Sequence, residues 1–163
     1  MGPGALVLEG NAEDPAHQRA GRDVHEKPLF REAFAKRRAL IPATGFFEWQ
    51  KRADGKQPYR FQRQDLQPFA FAGLWEFARL GGNDILSAAI IVGEPNPLAA
   101  AVHDRMPVIL DPEDYDRWLD PAASVEELRA LLRPFPAERM QAYEVGRAVN
   151  SVKNDREECI EQV

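Results

Sequence analysis

Between residues 28 and 63 the spacing of apolar positions switches from a helical to a strand period. Leu29, Phe30, Ala33 and Phe34 recur at helical spacing behind Pro28, a residue suited to a helix's first turn. Arg37-Arg38 put positive charge where that helix should end. Ala39-Leu40-Ile41 then reads as a buried run stopped by Pro42, and Gly45 to Lys51 as an aromatic-rich extended segment. Ala53-Asp54-Gly55-Lys56 is a hairpin turn with glycine available for positive φ, and Pro58 to Arg63 is the return strand. After a turn at Gln64 to Gln67, Phe69 to Trp75 forms a further strand. Gly81-Gly82-Asn83-Asp84 is the next turn. Ile85 to Val92 is nearly all apolar, the pattern of a central strand.

The remainder alternates short strands with capped helices. Pro95-Asn96-Pro97 opens a loop or helical turn that delivers His103, and Met106 to Leu110 is a short strand. Asp111-Pro112-Glu113-Asp114 places a cap, a proline and acidic residues in the order that starts a helix, with Tyr115, Trp118 and Leu119 as its apolar face. Ser124 with Glu127 is a capping box for a helix over Val125 to Leu132, stopped by Pro134 and Pro136. Met140 to Val145 is the last strand. Antiparallel strands with helices gathered at the ends of the order give an α+β fold rather than alternating βαβ units. Residues 1–23 break this patterning: small residues and breakers surround one apolar patch, Leu6-Val7-Leu8, so this stretch is expected to be poorly ordered or at most a short strand.

Composition narrows the function. At 163 residues, 44% hydrophobic and 29% charged, the chain is one globular domain's worth, with 24–163 as that domain. No apolar run is long enough for a membrane helix and the start lacks a signal-peptide pattern, so a cytoplasmic protein without a membrane partner is expected. The lone Cys159 excludes an internal disulfide, and the three histidines lack metal-site spacing, so neither a metal nor another cofactor is expected. No glycine-rich phosphate loop is present.

Net charge is −5, but unevenly spread. Residues 27–63 carry ten Lys and Arg against three acidic residues, +7, whereas 64–163 carries nine basic and eighteen acidic residues, −9. That asymmetry is what a positive patch for a polyanion needs, although the same charges could be solvated faces. Trp75 and Trp118 read as core; Trp49, beside Glu48 and a basic hairpin, could equally stack on a base.

The chemistry concentrates in Gly45-Phe46-Phe47-Glu48-Trp49 and His103-Asp104-Arg105-Met106-Pro107. One carboxylate and one imidazole are the smallest kit for moving protons near neutral pH, and an adjacent arginine can hold an anion. A strand-end carboxylate and a hydrogen-bonded structural histidine would satisfy the same residues.

These motifs, with Phe69-Ala70-Phe71-Ala72-Gly73-Leu74-Trp75-Glu76, Glu26-Lys27-Pro28 and Val149-Asn150-Ser151-Val152-Lys153-Asn154-Asp155, occur in an order that resembles the SOS-response-associated peptidase (SRAP) family of abasic-site processing proteins. The resemblance runs from about Val24 to Val163. It implies a mixed, mainly antiparallel β pseudo-barrel with peripheral helices, and a partner, single-stranded DNA carrying an abasic site; the chain itself is expected to be a monomer. In the family a cysteine exposed by removal of the initiator methionine captures the ring-opened sugar as a thiazolidine, a DNA–protein cross-link. By that resemblance Glu48 matches the glutamate linked to methionine removal and cross-linking. His103 matches the histidine that moves protons in ring opening and cross-link reversal, and Arg105 an arginine on DNA phosphate; Trp49, as a stacking surface, is the other residue expected to contact DNA.

The resemblance fails at the start of the chain, where Gly2 stands in place of the family's cysteine and Gln18 to Asp23 in place of an Asn-Ala-Arg stretch. Glycine offers no thiol, and Cys159 lacks an adjacent free amine. The expectation is therefore a reading frame that begins late or through a frameshift, leaving the family's N-terminal part missing and apolar surface uncovered. A decayed copy and a cysteine-free relative are the alternatives. In function, a non-catalytic single-stranded DNA-binding module and a small acid–base hydrolase stand beside the abasic-site reading.

Overall fold

The structure, a computed structural model, describes residues 28–80 and 83–163. The expectations for 1–23 and for the Gly81-Gly82 turn lie outside the described residues. The helix behind Pro28 is α1 (Pro28–Lys36), with Ala33 and Phe34 of its stripe buried. Arg38, expected to end that helix, instead begins β1 (Arg38–Ala43). Its guanidinium nevertheless serves the helix end, donating to the Phe34 and Ala35 carbonyls at 2.6 Å each, last-turn groups the helix itself leaves without partners. It also donates to the carbonyls of Trp118 and Asp120 at 2.7 Å. Pro42 does not stop β1 but lies inside it. β1 is an edge strand among the described residues, where a residue without an N–H is tolerated, and its Ala39-Leu40-Ile41 is half-buried rather than buried.

β4 (Phe69–Leu80) is the organising strand. β1 pairs antiparallel along its first half and β5 (Asn83–Ile90) along its second, while β8 (Ile109–Leu110) pairs at Ala70 and Phe71. Side chains alternate across a strand. Ala72 and Leu74 therefore join a core with Phe34, Trp118 and Leu128 under the helices, while Phe69 and Phe71 join Phe61, Met106 and Phe135 on the other face. Both faces are covered, which is why this segment reads as continuously apolar. Of the segment expected to be central, Ile85 to Val92, the part in β5 lies at the sheet edge among the described residues, and Ile85, Leu86 and the adjacent Phe77 are exposed.

The second core is closed by a separate antiparallel sheet in the order β2-β3-β9, from β2 (Phe46–Arg52), β3 (Gly55–Arg63) and β9 (Met140–Glu144). Arg52 pairs with Gly55, so the hairpin turns through Ala53-Asp54 with Gly55 at φ 127°, as the turn chemistry required. Phe46 stacks on Phe61 with ring centroids 5.0 Å apart, and it meets Phe71 edge to face across the layers.

Between the sheets run β6 (Val92–Gly93), α2 (Pro97–Ala100) and β7 (Met106–Pro107), which pairs with β6. Met106 to Leu110 is thus two strands, not one, because Val108 turns to bond Ile91 and Ala72 between them. Asp111 makes no side-chain cap, since its carboxylate is taken by Arg133 and Arg139. A 3₁₀ turn over Pro112–Asp114 leads into α3 (Tyr115–Leu119), where Trp118 is fully buried but Leu119 is exposed. Both halves of the Ser124–Glu127 capping box form at the start of α4 (Val125–Leu131). Every strand pairing among the described residues is antiparallel, so the fold is α+β, with helices peripheral to the sheets. No helix among them is long and apolar enough to cross a membrane.

Candidate active site

Two independent pieces of the fold bring Glu48 and His103 together. Glu48 follows Phe46 on the inward face of β2, one alternation beyond the aromatic core, so its carboxylate stands where the core gives way to a cleft. Among the described residues β2 pairs on one side only, and the cleft straddles its other edge. His103 arrives on the loop after α2. Asn96, buried between the sheets, caps α2 by accepting the Ala99 N–H at 2.9 Å and donates its amide to the Phe135 carbonyl at 2.7 Å. The His103 N–H is held by the Ala99 carbonyl at 2.9 Å, and Gln50 of β2 donates to the Ala101 carbonyl at 2.8 Å. That amide ties the loop to the strand beside Glu48.

Glu48 Oε2 lies 3.9 Å from His103 Nδ1. The gap exceeds a hydrogen bond but lies within ion-pair distance, so the two groups face each other without a direct bond. Nδ1 instead receives the Arg105 backbone N–H at 3.2 Å and lies 3.3 Å from Asp104 Oδ1. Burial pushes the Glu48 carboxyl above its ordinary value, opposed by the nearby His103 and Arg105 and by the Trp49 N–H. A carboxyl and an imidazole facing one space are the groups that general acid–base chemistry uses to take up and hand on a proton.

The cleft has a volume of about 370 Å³ and is lined by Glu48, Trp49, Lys51, Lys56, His103 and Asn150. Trp49 is half-buried, neither core nor free, and its indole N–H donates to Asn150 Oδ1 at 2.7 Å. Trp118 is core as expected, while Trp75 is half-buried against the exposed Phe77. Of the four residues singled out from sequence, Glu48, Trp49 and His103 share the cleft wall. Arg105 stands beside it, its Nε 3.7 Å from Asp104 Oδ1. Lys51, Lys56 and Asn150 were not singled out as site residues, although the lysines lie in the basic 27–63 segment and Asn150 in the Val149–Asp155 motif. Alternation from Trp49 gives Lys51 the same face, and the two-residue turn sets Lys56 opposite Lys51; only the folded chain brings in Asn150. Cys159 is buried, with Sγ 3.7 Å from the Asn154 carbonyl. No group of three or more His, Cys, Asp or Glu that could hold a metal occurs among the described residues.

Comparison with known proteins gives a concordant result. A family model described as SOS response associated peptidase (SRAP) matches residues 16–152. Abasic site processing protein YoqW of Bacillus subtilis (strain 168) is 44% identical over 140 residues, covering 83% of this chain and 62% of that protein. Abasic site processing protein YedK of Escherichia coli (strain K12) is 32% identical over 139 residues, covering 84% and 61%. A crystal structure of a protein from Bacteroides thetaiotaomicron matches with a TM-score of 0.80 at 31% identity, over 88% of this chain and 64% of that one. The chain thus spans less than two-thirds of the length of these relatives.

Proposed function

The chain belongs to the SOS response associated peptidase (SRAP) family, and from that membership and the cleft we propose that it processes abasic sites in single-stranded DNA. The observation that carries this reading is the meeting of Glu48 and His103 across 3.9 Å in a cleft that also presents an aromatic wall and two lysines. An abasic sugar is a closed hemiacetal. Opening it takes a proton from the C1′ hydroxyl and gives one to the ring oxygen, leaving an aldehyde at C1′. A buried carboxyl and an imidazole facing one gap can perform both transfers. Trp49 offers a flat surface for the neighbouring base, and Arg105 a cation for the backbone.

Covalent capture of the aldehyde as a thiazolidine needs a thiol and a free amine on one residue. Within residues 1–163 Gly2 has no thiol and Cys159 is buried without an adjacent amine. The aromatic wall and the two lysines of the cleft also support a second reading, a single-stranded DNA-binding module without covalent chemistry.

A labelled single strand bearing one abasic site separates the two. The chain should bind it in preference to the intact strand by fluorescence anisotropy. A form extended upstream to a Met-Cys start should add a band on a denaturing gel that Glu48→Ala and His103→Ala abolish. Equal affinity for both strands with no band from either form leaves the binding module. Absence of any single-strand binding overturns both.

A further inference from the structure

Lys51 and Lys56 are paired directly across the β2–β3 hairpin, on the face that also carries Trp49 and Pro58. Like charges directly opposite one another on a sheet repel, and both side chains are exposed. Apart from Glu48, which faces His103, the carboxylates nearest this hairpin's tip and β9 edge are taken by arginines. Asp54 at the turn accepts from Arg147 at 3.0 Å, and Glu144 holds Arg52 and the Tyr59 hydroxyl at 2.5 and 2.8 Å. Among the described residues no carboxylate comes within ion-pair distance of either lysine. Two cations therefore stand in register at the cleft lip, and neither makes an ion pair among the described residues.

Their neighbours on that face indicate what the missing charge accompanies. Trp49 lies two residues before Lys51, about 6.6 Å along the strand, and its indole is fixed in orientation by the 2.7 Å bond to Asn150. The Arg147–Asp54 pair ties the hairpin tip to the same C-terminal segment. An oriented aromatic face beside a fixed cation pair matches a base with its adjoining phosphate. We propose that Lys51 and Lys56 together form a phosphodiester subsite, holding the backbone of a nucleotide flanking the abasic site while Trp49 takes the base. This rests on the single-stranded DNA reading above and adds a contact that is independent of the lesion.

The test is an anisotropy titration of intact and abasic single strands over a range of salt concentrations, with the wild-type chain and the Lys51→Gln/Lys56→Gln double variant. Circular dichroism verifies that the variant is folded. Removing a phosphate contact should reduce the slope of log K against log salt by about 0.7, and should weaken binding to both strands by the same factor. Lys36→Gln, on α1 beside Glu32, should leave the slope unchanged. An unchanged slope in the double variant, or a loss confined to the abasic strand, overturns the subsite while the abasic-site reading stands. A wild-type chain that binds neither strand overturns both.

Discussion

Asn96→Ala should cost more stability than its size suggests. The residue is 3% exposed, and its amide does two jobs that no water can take over. Its Oδ1 accepts the Ala99 N–H at 2.9 Å, capping α2, and its Nδ2 donates to the Phe135 carbonyl at 2.7 Å. Loss of a cap costs about 1 kcal/mol, and a buried carbonyl left without a donor costs about 1–3 kcal/mol. The expected loss is therefore about 2–4 kcal/mol, which for a chain of this size lowers Tm by about 4–16 °C.

Urea unfolding followed by tryptophan fluorescence measures this, with the midpoint shifting at constant slope. Asn96→Asp separates the two jobs, since it keeps the acceptor for Ala99 but presents a carboxylate to the Phe135 carbonyl. At neutral pH it should be at least as unstable as the alanine variant. It should recover as pH falls, because the protonated acid can donate to that carbonyl. An alanine variant within about 0.5 kcal/mol of wild type, the range of an ordinary surface change, would refute the reasoning. Because α2 holds the His103 N–H, the same variant should reduce the preference for an abasic over an intact strand.

Three further outcomes are expected. Burial raises the Glu48 carboxyl above its ordinary value of 4.5, so the folded chain binds that proton more tightly than the unfolded one. Stability should then fall as pH rises from about that ordinary value through the raised one, and Glu48→Gln should melt higher than wild type at pH 7 with the advantage gone near pH 4; thermal melts across that range check the sign. Gly45→Ala should destabilise by about 1–3 kcal/mol, because a Cβ there would sit 2.7 Å from the Phe61 carbonyl oxygen. Denaturant unfolding measures it. Cys159→Ser should leave every DNA readout unchanged, and the wild-type thiol should react with a thiol reagent slowly until the chain unfolds, since it is buried.

Local rules were legible in the sequence where the interaction is local. The Ser124–Glu127 box, the Ala53–Gly55 turn and the α1 stripe all form where their spacing placed them. The misreadings occurred where a distant partner decides. Ile85 to Val92 is apolar enough for a central strand, yet among the described residues β5 lies at an edge, because centrality depends on which strands pair and not on the strand's own residues. Asp111 has a cap's position, but Arg133 and Arg139 compete for its carboxylate from 22 and 28 residues away. In the site, Glu48, Trp49 and His103 stood out through their motifs. Lys51 and Lys56 needed the hairpin register, and Asn150 needed the C-terminal segment to fold back on β2.

The cleft therefore depends on two anchors that fail independently. Glu48 is placed by the register of β2 on β3 and by Phe46 stacked on Phe61. His103 is placed by Asn96 from the other side of the second core. At 3.9 Å the carboxylate and imidazole lack a direct bond to hold their spacing, so it is inherited from those anchors and from the Gln50 amide on the Ala101 carbonyl. Proton transfer is steeply sensitive to such spacing, and a displacement of about 1 Å can cost about a hundredfold in rate. The Gln50 bond is exposed and adds little to folding stability. Its contribution lies in orientation, which makes it the point where the geometry of the pair can change while the fold does not.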